Sequence, residues 1–340
     1  MDNYENDFIN IIIPASSFYV PYLSALLVSI LCNKNKEDKL FFHILTEDIT
    51  EKDKHKLAFL KFYGEFKIEY VYPNSDLIAG IKECVSKYIN NLCNYKLHIS
   101  SLFPNIHKAI ILEGDMIVLS SLKELYDIDI NDTPFAAVKD SWVENIQETQ
   151  FDIPKKYRYC NTGMFLANLD LWRKLKIEDV FKDIIKKYND KLLFPDQDIF
   201  NIAFHKVTKH LPAKWNIYVN INYNHIEEQK EAYEQGLDNF AGIIHYAAPD
   251  KPWNKDTNCS EYFWFYARKT PFYEKMLENY LQKDLYFELE QAFKYKKNFL
   301  NYLRYVLINK LFPFYKKEHY LEKEKQYNEL LSIAKKIRGV

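Results

Sequence analysis

Three short segments of the chain bring together acids, an amide, an imidazole and an amine at points where a strand should end or a helix begin. In KAIILEGDMIVL an apolar run stops at Leu112, and Glu113 and Asp115 follow. Side chains two residues apart on an extended chain point the same way, so both carboxylates would face one ligand. Such oxygen donors hold a hard divalent cation, and Gly114 between them leaves the backbone open to close approach. The other reading is an acidic turn after a strand. In LLFPDQDIFNIAF, Pro195 suits the first position of a helix, and Asp196 and Asp198 suit its first turn, near the positive end of the dipole. That pattern accounts for both acids and says nothing special of Gln197. In AGIIHYAAPDKPW a strand ends at His245, and a Pro-rich turn carries Lys251 and Trp253. The imidazole can ligate a metal, and Lys251 can meet an anion as a point charge. A hydrogen-bonded strand-end histidine beside a surface turn is the alternative.

The elements that must position these residues alternate in type. The spacing predicts strands at Phe8–Ile13, Leu40–Leu45, Phe66–Tyr72, Lys108–Leu112, Phe135–Val138, Met164–Asn168 and Gly242–His245, with helical patterns between the early ones. This order indicates an α/β fold with a mostly parallel sheet. Thr50 with Asp53 makes a helix start resembling a capping box, and Gly64 makes a stop. Phe8 to Asn33 carries no charge and is long enough to span a bilayer. Pro14, Pro21, Asn10 and serines 16, 17, 24 and 29 divide it instead into a buried strand, a loop and a helix with Pro in its first turn.

Composition excludes several classes. The 340 residues hold 48% hydrophobic and 27% charged side chains, as in a globular protein. Lys plus Arg number 46 against 47 Asp plus Glu, which is no nucleic-acid-binding balance. Only seven glycines occur, and they form neither G-x-G nor G-x-x-x-x-G-K, so any phosphate is held without a Gly-rich loop. No Gly lies two residues before a Ser, which removes the hydrolase nucleophile elbow. The five cysteines form no C-x-x-C pair and suit a reduced, cytoplasmic setting. The N-terminus MDNYENDF is acidic, unlike a secretory leader. From Gln291 to Val340 there are twelve Lys or Arg and four Glu. Phe299, Leu300, Leu303, Val306, Leu307 and Leu311 fall at helical spacing there, among Lys294, Lys296, Lys297, Arg304, Lys316 and Lys317. This pattern fits either a helix docked on the main domain or an interfacial helix on anionic lipid.

Taken in order, these segments resemble glycosyltransferase family 8, and within it the bacterial lipopolysaccharide galactosyl- and glucosyltransferases. The resemblance runs from about residue 8 to residue 255. IIIPASSFYVPYLSALLVSI looks like the family's first strand and uridine loop, with Ala15 and Tyr19 matching and Ser16 where the family usually has Asp. NYKLHISSLFP resembles the helix before the metal motif, with Lys96 for the usual Arg. ILEGD falls on the D-x-D motif, Glu113 replacing its first Asp and Asp115 matching its second. AAVKD puts Asp140, and YCNTGMFLANLDLWR puts Asn161, against the donor sugar. PDQDIFN resembles the D-Q-D motif, which puts Asp196 and Gln197 at the reacting centre. HYAAPDKPW resembles H-x-x-G-x-x-K-P-W through His245, Lys251 and Trp253, with Ala248 for the Gly.

The resemblance implies a GT-A fold, a Rossmann-like mixed but mostly parallel sheet flanked by helices. Residues 1–260 would form the catalytic domain, and 261–340 a helical, basic and aromatic extension. It implies retaining transfer of galactose or glucose from a UDP-sugar to a glycan or glycolipid acceptor. Glu113, Asp115 and His245 would hold Mn²⁺, with Mg²⁺ the alternative. Ala15, Ser16, Tyr19, Lys251 and Trp253 would bind UDP, and Lys96, Asp140 and Asn161 the sugar. The stretch 291–317 would touch an anionic membrane on its cytoplasmic face. Two alternatives stand beside this reading. One is a weak or inactive UDP-sugar-binding relative, motivated by Ser16, Glu113 and Ala248. The other is a membrane-associated interaction protein working through its basic tail.

Overall fold

Strand β1 (Ile9–Pro14) is an almost unbroken apolar run whose isoleucines are buried on both faces, as a central strand of a covered sheet requires. It lies in a computed structural model that describes residues 7–82, 91–140, 150–151, 153–154, 156–219, 242–247, 251–254 and 257–281. Met1–Met276 forms one compact unit and Leu277–Val340 a second. The apolar and basic pattern at 291–317, and Ala248, lie outside the described residues.

The main sheet adds β2 (Leu40–Leu45), β3 (Phe66–Val71), β4 (Lys108–Leu112), β6 (Phe135–Lys139), β7 (Cys160–Asn168) and β8 (Lys209–His210). Their order is β3-β2-β1-β4-β7-β6-β8. The pairs β1–β2, β2–β3, β1–β4 and β6–β8 are parallel, while β7 runs antiparallel to β4 and β6. The sheet is therefore mixed and mostly parallel, flanked by helices. Strand order reverses between β1 and β4, and α/β sheets bind ligands beyond the carboxyl ends of strands at such a point. The loops after β1 and β4, which carry Ala15–Tyr19 and Glu113–Asp115, open side by side there. Because β7 runs the other way, its first residues reach the same end, with Leu112 opposite Met164 and Glu113 N–H donating to Gly163 O at 2.9 Å.

A second sheet orders β5 (Met116–Val118), β10 (Ile243–His245) and β9 (Ile217–Tyr218) as β5-β10-β9. Its register sets His245 opposite Met116 and beside Tyr218. Tyr246 N–H then donates to Asp115 O at 3.0 Å. Residues 131 positions apart in the chain are thus held side by side.

Helix α1 (Val20–Asn33) has Pro at its start and lies buried along most of its length. Its serines are satisfied internally, Ser24 Oγ donating to Pro21 O and Ser29 Oγ to Leu26 O, as buried hydroxyls require. Ser29 Oγ also accepts from Val118 N–H at 2.9 Å, which ties α1 to β5. The charge-free stretch before Lys34 is therefore strand, turn and buried helix. Among the described residues no helix is long and apolar enough to cross a membrane. Helix α2 (Glu51–Ala58) begins as the spacing predicts, with the Thr50 side chain accepting from Asp53 N–H. Helix α7 (Pro195–Phe204) follows α3 (Ile99–Leu102), α4 (Lys123–Tyr126), α5 (Leu169–Lys174) and α6 (Ile177–Tyr188). It is pinned from behind by rings, with Phe200 stacked on Phe135 at 5.5 Å and Phe204 on the same ring at 5.1 Å. The acids at its start are thereby held beside the loop that carries Glu113 and Asp115. Helix α8 (Ser260–Ala267) packs on α1.

Candidate active site

Glu113, Asp115 and His245 offer ligand atoms that all lie within 4.8 Å of one another. His245 Nε2 is 3.4 Å from Asp115 Oδ1 and 3.6 Å from Glu113 Oε2. Both Asp115 Oδ1 and His245 Nε2 are buried, and among the described residues neither has a hydrogen-bond partner. Orphaned buried polar atoms are costly unless a ligand satisfies them. Two carboxylates and an imidazole make a donor set that suits Mn²⁺, so the residues fit the implied cation. Gly163 makes room for the imidazole, since a Cβ there would lie 2.4 Å from His245 Cε1 and 3.1 Å from Glu113 Oε2.

Two lysines hold the acids charged. Lys96 sits in the turn Asn91–His98, 0% exposed. Its ammonium lies 2.8 Å from Glu113 Oε1, 2.6 Å from Asp196 Oδ2 and 3.0 Å from Thr162 O. Three acceptors thus engage its three N–H bonds. Lys251 Nζ bonds Asp115 Oδ2 and Tyr246 O, each at 2.5 Å. Burial alone would raise the Glu113 carboxyl, yet Lys96 and His245 hold it down at about 2. Asp115 is likewise held low against burial, by Lys251 and His245. The two acids in turn raise His245 although burial opposes its charge, and Asp196 and Glu113 raise Lys96 in the same way.

Beside the acids lies an array of amides. Gln197 Oε1 accepts from Asn161 Nδ2 at 2.9 Å and Thr162 N–H at 3.2 Å, while its Nε2 donates to Asp140 Oδ2 at 3.1 Å. Asn161 Nδ2 also reaches Asp140 Oδ2 at 3.3 Å. Thr162 Oγ1 donates to Asp196 Oδ2 at 3.1 Å. Asn161, Asp140, Asp196 and Gln197, drawn from three separate segments, therefore meet at one place, with Lys96 joining them to Glu113. Asp198 points elsewhere. It accepts from Tyr159 O–H at 2.5 Å and from the N–H groups of Leu193 and Phe194 at 2.7 and 2.9 Å, fastening the start of α7. Burial raises its carboxyl to about 6.

The remaining sequence-predicted residues line the loop after β1 and the turn after β10. Ala15 is buried, and its N–H donates to Leu45 O. Ser16 precedes a single helical turn, Ser17–Tyr19. Its neighbour Ser17 bonds the Asp48 carboxylate through N–H at 2.7 Å and Oγ at 2.6 Å. Tyr19 is half-buried, and a Cβ on Gly114 would lie 3.5 Å from its ring, an ordinary contact. Trp253 lies in the core, stacked on Tyr22 at 4.0 Å with Tyr19 edge-on at 6.1 Å. It anchors the turn that carries Lys251.

Sequence reading missed Asn216, which is wholly buried and bonds both His245 Nδ1 and Asn161 Oδ1 at 2.9 Å. It missed Cys93, whose Sγ donates to Asp196 Oδ1 at 3.6 Å. It also missed Asn201, which bonds the backbone of Cys160 through both ends of its amide. Asn216 and Cys93 stand in no distinctive local pattern, while Asn201 closes the PDQDIFN segment, where the acids and Gln197 drew the attention.

The family model of glycosyl transferase family 8 matches residues 10–257, the span that contains this whole site. The chain belongs to glycosyltransferase family 8. That family's class of reaction is the transfer of a glycosyl group. A putative glycosyltransferase of Haemophilus influenzae is 28% identical over 257 residues, covering 72% of this chain and 73% of its own. The lipopolysaccharide 1,2-glucosyltransferase of Escherichia coli is 25% identical over 293 residues, covering 82% of this chain and 84% of its own. Among solved structures, galactosyltransferase LgtC in complex with donor and acceptor sugar analogs aligns with a TM-score of 0.68 at 24% identity. That alignment covers 77% of this chain and 96% of LgtC. The fold is GT-A, as the sequence resemblance implied.

Proposed function

We propose that this family 8 member is a retaining hexosyltransferase that moves galactose or glucose from a UDP-sugar to a glycan acceptor of the lipopolysaccharide type. The observation that carries the reading is the pair of buried atoms without a hydrogen-bond partner, Asp115 Oδ1 and His245 Nε2, facing each other at 3.4 Å beside the Asn161–Gln197–Asp140 array. The names of the Escherichia coli glucosyltransferase and of LgtC support the hexose and the acceptor class.

Glu113, Asp115 and His245 hold the divalent cation, Mn²⁺ or Mg²⁺. When bound, the cation acts as a Lewis acid that neutralises the departing diphosphate. Lys251 brings a second positive charge to the same leaving group. Charges fixed in advance at the point where charge develops lower the barrier without reorganisation, and here they replace the absent Gly-rich loop. Tyr19 offers a ring face to the uracil, and Ala15 and Ser16 line the same loop. Asp140 and Asn161 orient the sugar hydroxyls. Lys96 holds Glu113 charged and pairs with Asp196 at the edge of the sugar site.

Gln197 faces the anomeric carbon. A neutral amide is a poor nucleophile, and its oxygen already accepts from Asn161 and Thr162. It therefore stabilises an oxocarbenium-like transition state while the acceptor attacks from the side the leaving group departs. Asp196 orients the sugar from the neighbouring position.

Release of UDP from UDP-glucose and UDP-galactose tests the proposal, with Mn²⁺ and with chelator. Turnover of one donor that stops with chelator and in Asp115→Ala supports it. Metal-independent turnover at the wild-type rate in that variant sinks the cation assignment. The basic aromatic stretch 291–317 serves, on this reading, to bring the enzyme to a membrane. Flotation of the full chain with anionic but not neutral vesicles is the expected result, and equal recovery with both removes that role.

A further inference from the structure

Asn216 lies immediately before β9, away from every motif that marks the site, and is wholly buried. Its orientation follows from the network around it. Gly163 N–H, which can only donate, lies 2.8 Å from Asn161 Oδ1. The Asn161 amide nitrogen faces the Asp140 carboxylate and the Gln197 oxygen. Asn161 therefore presents its oxygen to Asn216, and Asn216 must answer with its NH₂ group at 2.9 Å. That leaves Asn216 Oδ1 toward His245 Nδ1, also at 2.9 Å. An acceptor at Nδ1 keeps the proton there and turns Nε2 toward Asp115 and Glu113, where it lies 3.4 and 3.6 Å from their oxygens without a hydrogen bond. Gly163 makes the ring's position sterically possible, and the Tyr218 ring lies 5.8 Å from the imidazole.

We infer that Asn216 is a positioning residue, locking His245 with Nε2 presented to the cation and tying that histidine to the sugar-binding amide of Asn161. One side chain thus joins the cation half of the site to the sugar half. The inference rests on the reading of Glu113, Asp115 and His245 as cation ligands. Partners that orient a ligating histidine typically govern metal affinity about 10–100-fold.

The test uses the full chain as wild type, Asn216→Ala and Asn216→Asp. Each is titrated with MnCl₂ alone, free Mn²⁺ being read by electron paramagnetic resonance, and thermal unfolding is recorded in parallel. UDP and UDP-glucose are then titrated at saturating Mn²⁺. Asn216→Ala loses both bonds and should weaken Mn²⁺ binding about 10–100-fold. Asn216→Asp still accepts from His245 Nδ1–H but cannot donate to Asn161. It should keep Mn²⁺ affinity close to wild type while losing the extra affinity that UDP-glucose has over UDP. Wild-type Mn²⁺ affinity in Asn216→Ala overturns the inference. So does equal weakening in both variants in step with their melting temperatures, which assigns Asn216 to packing alone. A wild-type chain that binds no Mn²⁺ overturns the cation reading and this inference with it.

Discussion

The Lys96 ammonium lies 2.6 Å from the Asp196 carboxylate and 2.8 Å from that of Glu113, with no exposure to solvent. A single buried ammonium therefore links Glu113 to the helix that carries Gln197. Removing one member of a buried charge group leaves the others uncompensated, at about 3–5 kcal/mol. Lys96→Ala should lose stability on that order in chemical denaturation, and Lys96→Arg, which keeps the charge, should lose less. An unchanged denaturation midpoint in Lys96→Ala would mean that the pairs contribute nothing to stability.

Gly163 owes its identity to its neighbours. A methyl group there would meet His245 Cε1 at 2.4 Å and Asn161 Oδ1 at 2.9 Å, so the imidazole must move. Gly163→Ala should weaken Mn²⁺ binding roughly 10-fold or more. It should do so even where its melting temperature stays near wild type. Calorimetric titration with MnCl₂ checks this, and undiminished affinity would show that the ring can shift without losing the cation.

Stability should depend on pH with two opposed limbs. Asp198 has its folded pKa raised by burial, from 3.8 to about 6. Between those values the native state holds a proton that the unfolded state has released, so stability rises as pH falls through 6. Glu113 acts in the opposite sense, with its folded pKa lowered from 4.5 to about 2. Its contribution is present above 4.5 and is lost as pH falls toward 2. The metal-free protein should therefore be most stable near pH ~4, where the two opposed slopes cancel. Asp198→Asn should flatten the limb above that maximum and leave the acid limb intact. Denaturant midpoints across the range provide the measurement, and a full-height upper limb in Asp198→Asn would assign it to another group.

Gln197→Ala should still bind UDP, because Gln197 belongs to the sugar end of the site. Transfer should slow about 10²–10³-fold, the size expected for one lost stabilising dipole. Loss of UDP binding in that variant would move Gln197 away from the reacting centre.

Most strands of the main sheet were legible as apolar runs bounded by turn residues, whereas the exposed pair Lys209–His210 of β8 was not, and β7 begins at Cys160, ahead of the Met164 expected. β1 and β4 were read within a residue of where they lie. Glu113 and Asp115 could be read as candidate ligands because two carboxylates two apart follow such a strand. The short β5 and β9 carry only three and two residues, too few for any periodicity. Yet β5 pairs with β10 and sets His245 beside Asp115. Asn216 was invisible for a related reason. Its partners lie 29 and 55 residues away, and only the fold brings them within bonding distance. Trp253 shows the limit of motif reading in another way. Its place beside Lys251 marks the segment, while its ring is spent on packing against Tyr22.

The most direct test of the central claim is thermal unfolding of the full chain with UDP alone, Mn²⁺ alone and both together. A ligand present at about 100 times its dissociation constant adds roughly 2.7 kcal/mol, enough to raise the melting temperature by a readable amount. If Glu113, Asp115 and His245 hold a cation that in turn receives the diphosphate, the shift with both should exceed the sum of the single shifts and vanish in Asp115→Ala. A shift with UDP that is the same with and without Mn²⁺, and persists in that variant, would contradict the account.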